Sequence, residues 1–343
     1  MTFIYFAIVL GVTIFIHELG HFLFAKRSGI YVYEFAIGMG PQIFKFTRKK
    51  DETVYSIRLF PIGGFVQMAG ESIEEDQSIP RDRQFQSKSW INRFLTIIAG
   101  ILFNFILAII LLFVVGLLNG VPKSTPSIAY VDDTYPAYQI GLRKGDQVLK
   151  INGHQLYSVD QFLLELQVRY GKQTTLTVKH KNGQVKELSI QPIKNKEAVY
   201  KFGFAIDGTK TNGIIASIQY GFTKTLSLVH QMVLIIYFLI TQQLGLSNLA
   251  GPVGIYSIVG DAAKAGLVSM LYLIALISIN VGFINLLPIP AFDGGRLLFL
   301  IIEKIKGKPV NQKVENLFHR VGFILLMLLM LIITYNDIIK LFK

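Results

Sequence analysis

Apolar residues in this chain fall into runs too long for a half-buried strand and too continuous for a one-sided helix. Four runs, at about 3–25, 94–118, 267–292 and 321–342, reach the roughly 20 residues needed to cross a hydrocarbon core about 30 Å thick. A fifth, "LSLVHQMVLIIYFLI" at 226–240, is shorter and is interrupted by His230 and Gln231. It reads as a helix lying at the membrane interface, partly inserted. The expected architecture is therefore an α-helical integral membrane protein with four transmembrane helices.

Between these runs the periodicity changes. From 126 to 193, short apolar strands are punctuated by Gly141, Gly145 and Gly153, and "TLTVKHKNGQVKELSI" holds two alternating runs joined by Asn182-Gly183, a hairpin signal. "SVDQFLLELQVRY" has a helix-start Ser or Asp followed by helical apolar spacing. This predicts a compact β-rich domain inserted between the second and third spans, with 194–266 as a linker and the interfacial helix. A second alternating stretch, "TVYSIRLFPIGGFVQMAG" at about 53–70, predicts a β-hairpin dipping toward the membrane. The stretch "EEDQSIPRDRQ" at 74–84 reads as a solvated loop.

Charge orients the spans. Only 16% of residues are charged and 52% are apolar, against roughly 25% charged in soluble domains. The net charge of +12 is spread over loops beside apolar runs, which fits membrane orientation and anionic lipid, with no nucleic acid. Lys26, Arg27, "TRKK" and "RDR" follow the first span, and Arg296, Lys304, Lys306 and Lys308 follow the third. The positive-inside rule places both loops in the cytoplasm and residues 119–225 outside. The opening "MTFIYFAIVLGVTIFI" has no basic n-region and no small-residue cleavage site, so a retained span is expected. The chain has no cysteine, so any zinc must be held by His, Asp or Glu.

"FIHELGHFLFAK" places His17, Glu18 and His21 inside the first span, where ionisable groups cost up to about 3 kcal/mol each on insertion scales. Residues four apart share one helix face, so both imidazoles can bind one Zn²⁺ with Glu18 beside them as base. Interhelical hydrogen bonding is the structural alternative. A catalytic zinc takes a third protein ligand, and Asp293 in "NLLPIPAFDGGR" is the candidate, following Pro288 and Pro290 and preceding Gly294-Gly295. A plain helix end is the alternative there. If 226–240 does not cross, spans one and three run the same way and bring His21 and Asp293 to one side. His17 then lies about 21 Å along its helix from Phe3, at 1.5 Å per residue.

His17-Glu18-x-x-His21 in the first span, N-x-x-P-x-P-x-x-D-G-G ending the third, and the inserted β-rich domain together resemble the site-2 protease family. "AIGMGP", "PIGGFVQMAGE" and "AGPVGI" are similar to family segments, and "GLRKGDQVLKINGHQL" resembles the core of a circularly permuted PDZ domain. Phe292 departs from the family pattern, where Leu usually precedes the Asp. The resemblance implies a bacterial cytoplasmic-membrane zinc metalloendopeptidase that cuts transmembrane-segment protein substrates, such as anti-sigma factors or remnant signal peptides. An upstream site-1-type protease would trim those substrates, and the PDZ-like domain would be extracytoplasmic, binding or filtering them. It implies a substrate-aligning role for Gly63 and Gly64 and a substrate hydrogen bond from Asn285. Asn280 is divided between that role and helix packing, and Asn104 reads as a helix-joining residue. His154, His180, His230 and His319 lack ligand spacing. The competing readings are a proteolytically silent PDZ-bearing scaffold and a transporter using intramembrane polar groups, the latter disfavoured by the lack of inverted repeats.

Overall fold

The computed structural model describes every residue except 50, 72–77, 196–198, 246–247 and 342–343, together with all side chains but those of 61, 62, 312, 340 and 341. Residues 74–77 of the expected 74–84 loop and the last residue of the expected fourth span therefore lie outside the described residues. Two compact units are present: Met1–Leu112 with Leu246–Lys343, and Phe113–Gly245.

The first unit begins with α1 (Thr2–Arg27), β1 (Val32–Thr47) and β2 (Val54–Met68), and α2 (Trp90–Asn119) runs out of it. The helices α1 and α2 approach closely because glycine meets backbone: a Cβ on Gly20 would lie 2.5 Å from the Ala99 carbonyl oxygen. The stretch at 53–70, expected as a hairpin, forms β2, whose two arms pair with β1 and not with each other. Residues 32–37 have 64–68 on one side and 54–57 on the other, and 54–58 also lie beside 42–47. The chain turns back within β1 at Gly38 and Gly40, both with positive φ (88° and 85°). At Gly38 a Cβ would also meet the Phe60 carbonyl oxygen at 2.6 Å. Met39, Ile43, Phe44, Leu59 and Phe60 near this bend are exposed, a large apolar patch suited to lipid.

At its other end the hairpin is anchored by buried apolar packing and by charge. Phe22, Ala25, Ile30, Val32, Phe35, Val66, Met68, Phe85 and Ile97 form one core with Leu297 and Leu300. Lys26 Nζ donates to Asp51 Oδ1 (2.9 Å), Tyr55 Oη donates to Asp51 Oδ2 (2.8 Å), and Arg83 pairs with Glu52. The hydrogen bond from Lys26, joined by that from Tyr55, holds the Asp51 carboxyl well below the usual carboxylate range. Burial and the Asp51 carboxylate push the Tyr55 phenol up to about 12.

The second unit carries β3 (Val121–Pro122), β4 (Ile128–Val131), α3 (Pro136–Gln139), β5 (Gln147–Ile151), β6 (His154–Gln155), α4 (Val159–Val168), β7 (Thr174–Lys179) and β8 (Val185–Ile190). After these come β9 (Ile193–Lys194), β10 (Tyr200–Lys201), β11 (Phe204–Ile206), β12 (Lys210–Thr211) and α5 (Ile214–Ile240). A four-stranded antiparallel sheet in the order β6-β5-β7-β8 and α4, N-capped by Ser158, enclose a core of Leu142, Val148, Ile151, Phe162, Leu176 and Val178. Strands reach beyond the expected end at 193: β11 pairs with β4 and β12 with β3, and Phe202, Phe204 and Ile206 pack on that core. These strands of two or three residues are too short to show a period of two. Asp160 ties α4 to α5, accepting from Lys224 Nζ (2.6 Å) and Ser227 Oγ (2.7 Å). A groove of about 1180 Å³ is lined by Leu163, Leu166, Phe204, Ile206 and Tyr220.

The chain then forms α6 (Pro252–Ala265), α7 (Leu267–Leu286), α8 (Asp293–Lys306) and α9 (Gln312–Leu341) in the first unit. The expected span at 267–292 ends at Leu286, because Leu287 precedes proline and takes an extended conformation (φ −64°, ψ 141°). Among the described residues five helices are long and apolar enough to cross a membrane: α1, α2, α5, α7 and α9. The run expected at 226–240 is the second half of α5, whose 27 residues extend about 40 Å at 1.5 Å per residue. Length therefore does not single out four spans.

Candidate metal centre

His17 and His21 stand one turn apart on α1, and their Nε2 atoms approach to 3.2 Å. Both side chains are buried against α2. His21 Nδ1 lies 2.9 Å from the Thr96 carbonyl oxygen, and His17 Nδ1 lies 3.2 Å from the Asn104 carboxamide. Gly100, between those two positions, leaves room for the imidazole: a Cβ there would lie 2.3 Å from His21 Nε2.

Asp293 arrives from the far end of the sequence. The α7 helix stops before Pro288, Ala291 takes a positive φ of 71°, and Asp293 opens α8, where an acidic residue suits the helix N-terminus. Gly294 permits the tight return, since a Cβ there would sit 2.1 Å from the Leu287 carbonyl oxygen. The loop is held from α9 by His319, whose Nδ1 accepts from the Ala291 N–H at 3.0 Å. Arg296, one turn into α8, pairs with Glu71 just beyond β2. Trp90 Nε1 donates to the Leu300 carbonyl at 2.7 Å.

The result is a triangle. Asp293 Oδ2 lies 3.1 Å from His17 Nε2 and 3.2 Å from His21 Nε2, and the same oxygen is buried with no aligned hydrogen-bond donor among the described residues. Tetrahedral ligands at zinc bond lengths of about 2.0–2.1 Å stand roughly 3.3–3.4 Å apart, so the triangle matches a zinc ligand set with a small adjustment. Among the described residues this is the one group of three His, Asp or Glu residues able to hold a metal ion. Two nitrogens and a carboxylate oxygen, with no thiolate, are a donor set zinc accepts.

Glu18 sits beside this triangle on α1, half-buried, and faces the sheet: a Cβ on Gly64 would lie 3.4 Å from Glu18 Cγ. Gly63 (φ 96°) packs on Met39. The expected substrate residues are placed less tightly. Asn285 Nδ2 donates to the Val281 carbonyl of its own helix at 3.0 Å, and the buried Asn280 Oδ1 has no hydrogen-bond partner among the described residues. His319, which lacks ligand spacing, holds the metal loop instead, and Gly100 and the contact from Asn104 to His17 are not among the expected site features. The signal for the last two was Thr96-x-x-x-Gly100-x-x-x-Asn104, polar and small residues on one face of an apolar span.

The model of peptidase family M50 matches residues 5–329. This chain belongs to that family, the site-2 proteases. The zinc metalloprotease RasP of Bacillus licheniformis is 37% identical over 420 residues, covering 99% of each chain. The regulator of sigma-W protease RasP of Bacillus subtilis is 36% identical over 422 residues, again with 99% of each chain covered. A relative from Clostridium perfringens is 37% identical over 340 residues, with 99% of both chains matched. The β-rich region matches the PDZ domain of an SdrC-like protein from Listeria monocytogenes at 20% identity, covering 25% of this chain and 90% of that one with a TM-score of 0.22. As a site-2 protease the chain is a multi-pass bacterial membrane protein and an intramembrane zinc metalloprotease.

Proposed function

We propose that His17, His21 and Asp293 hold the catalytic zinc, that Glu18 is the general base, and that the protease hydrolyses peptide bonds within or near the spans of other membrane proteins. The observation that carries this is the convergence of three buried ligand atoms to 3.1–3.2 Å, with Glu18 next in sequence to one of them. Zinc held there supplies Lewis acidity toward water and the scissile carbonyl. The Glu18 carboxylate takes the proton of the attacking water and returns it to the leaving amine. Atoms balance without a covalent enzyme intermediate.

A helical substrate has its amides engaged in its own hydrogen bonds and must be extended before attack. Among the described residues the outer edge of the sheet, 64–68, pairs on one side only, so its other side can take an added strand. Gly64, against Glu18, lets that strand pass close to the base. Asn285 and Asn280, on the helix leading to the metal loop, are the candidate donors and acceptors for the substrate backbone.

The four-span arrangement, with α5 at the interface, is supported by the trio itself: His17, His21 and Asp293 lie together when α1 and α7 run in the same direction. With the basic loops inside, the active site lies toward the cytoplasm and the β domain is extracytoplasmic. Among the described residues β11 pairs with β4 alone and borders the groove, which supports peptide capture there. The sigma-W regulator named among the relatives supports membrane-bound regulators such as anti-sigma factors as substrates, trimmed first by another protease.

The test is cleavage of a single-span reporter by the purified protein in detergent, with Glu18→Gln, Asp293→Asn and chelator controls. Cleavage by wild type that each control removes is the expected result. Persistence in Glu18→Gln would sink the mechanism.

A further inference from the structure

Both imidazoles of the metal centre are backed by α2, and one of the two backing groups is a side chain that helix packing alone would not place there. His21 Nδ1 meets the Thr96 carbonyl oxygen, an acceptor with no alternative role toward a ring. His17 Nδ1 lies 3.2 Å from Nδ2 of Asn104, whose carboxamide, fully buried in an apolar span, fits the same space with its O and N exchanged. Thr96, Gly100 and Asn104 follow at intervals of four, so one face of α2 supplies an acceptor, a gap for a ring and a carboxamide in succession. From the other side Ser278 Oγ, on α7 and also fully buried, lies 2.9 Å from the Asn104 carbonyl oxygen and 3.4 Å from its Oδ1 position.

We propose that Asn104 is a positioning residue for the metal centre: its side-chain oxygen accepts the Nδ1 proton of His17 and so leaves Nε2 bare and aimed at the ion. A neutral imidazole carries one proton, so a ring that ligates through Nε2 has its proton on Nδ1. Buried there, that proton needs an acceptor. The two ends of a carboxamide are told apart by their hydrogen-bond partners. With Oδ1 toward His17, the amide NH₂ faces Ser278 Oγ, and the Ser278 proton goes to the Asn104 backbone carbonyl. Every polar atom along Ser278, Asn104 and His17 then has a partner. With the NH₂ toward His17, two donors oppose each other unless the ring proton moves to Nε2, and that tautomer cannot ligate. Helix joining alone requires neither tautomer, so the two roles separate by experiment.

This inference rests on the ligand set proposed above, and the experiment keeps the two apart. Zinc affinity of the purified 343-residue chain is measured by competition with a chromogenic chelator, alongside thermal unfolding of the metal-free protein. His17→Ala reports on the ligand set alone: unchanged zinc binding there removes the set, whatever Asn104 does. Asn104→Leu, similar in size but without an acceptor, is expected to weaken zinc binding about 10–100-fold. Asn104→Asp, which restores an acceptor, is expected to bind within about threefold of wild type or tighter, as carboxylate–histidine–zinc arrangements do. Overturning results are an Asn104→Leu chain that binds zinc as wild type does, or an Asn104→Asp chain weakened as much as Asn104→Leu. If Asn104→Leu does not fold, Asn104→Asp decides: wild-type affinity supports the role, and a loss of tenfold or more overturns it.

Discussion

In the β domain His180 Nδ1 lies 2.9 Å from Asp146 Oδ2 and His154 Nδ1 lies 3.2 Å from Glu165 Oε1, while in the helical unit His17 and His21 stand 3.1 and 3.2 Å from Asp293. The distances are alike and the arrangements are not. In the β domain each carboxylate has its own histidine and further donors: Asp146 Oδ2 also accepts from the Arg143 N–H at 2.8 Å, and Arg169 stands 3.4 Å from Glu165. One of those histidines, His154, has a side chain 54% exposed. In the helical unit two buried rings share a single oxygen, and each turns its other nitrogen to a separate partner on α2. Pairs spread over distinct donors stabilise a fold; lone pairs pointed at one spot leave room for a cation.

The sharpest way to break this comparison is to change the catalytic group beside the triangle. Glu18→Gln should lower reporter cleavage about 10²–10⁴-fold while zinc content stays at the wild-type level, measured by metal analysis of the same preparation. Next in size is Gly100→Ala, whose methyl group would sit 2.3 Å from His21 Nε2. Displacement of the ring or of α2 should cost about 1–3 kcal/mol and release zinc at lower chelator concentrations than wild type. An unaltered zinc affinity would show that the two helices have slack that the packing does not suggest.

The reciprocal change belongs in the β domain. Asp146→Ala removes a buried carboxylate and leaves the Arg143 N–H and His180 without their acceptor, which should cost about 1–3 kcal/mol. Faster hydrogen exchange confined to 127–190, with zinc binding unchanged, is the expected signature. Loss of zinc would dissolve the distinction between the two kinds of pair. The smallest effect concerns the hairpin base. The hydrogen bond from Lys26 keeps Asp51 ionised to lower pH than in the unfolded chain. The stabilisation is therefore present above the unfolded carboxylate range, near pH 4, and fades as pH falls below it. Protection factors in β1 and β2, which correct exchange rates for their intrinsic fall at low pH, should be smaller at pH 3 than at pH 6, and Asp51→Asn should flatten that dependence.

The helical half of the metal centre could be read from the chain because its geometry is local: four residues on a helix always bring His17 and His21 to one face. Asp293 was reachable through prolines, paired glycines and the direction of the spans. Asn104 was not, because a carboxamide in an apolar span has the same pattern whether it joins helices or orients a ring. The strand β1 escaped notice because Gly38, Gly40 and Pro41 break its alternation where the chain turns back. The first half of α5 was missed for a related reason: "IIASIQYGFTKT" mixes polar residues into a helix whose apolar half alone is short. The strands from 193 to 211 depend on partners far away in sequence, and no local period records such pairing.

The pairing of β3 with β12 joins Val121 to Thr211 and Pro122 to Lys210, so the inserted domain begins and ends at one point. An insertion with a closed neck is a cassette: its contents can be enlarged, shortened or exchanged without moving the helix ends that flank it. Relatives that align over 340 residues and over more than 420 show that the family tolerates large differences in length. For engineering, excision between 121 and 211 with a short bridge respects the strand pairing, whereas a cut at 193 would strand β11 and β12 without the partners that hold them.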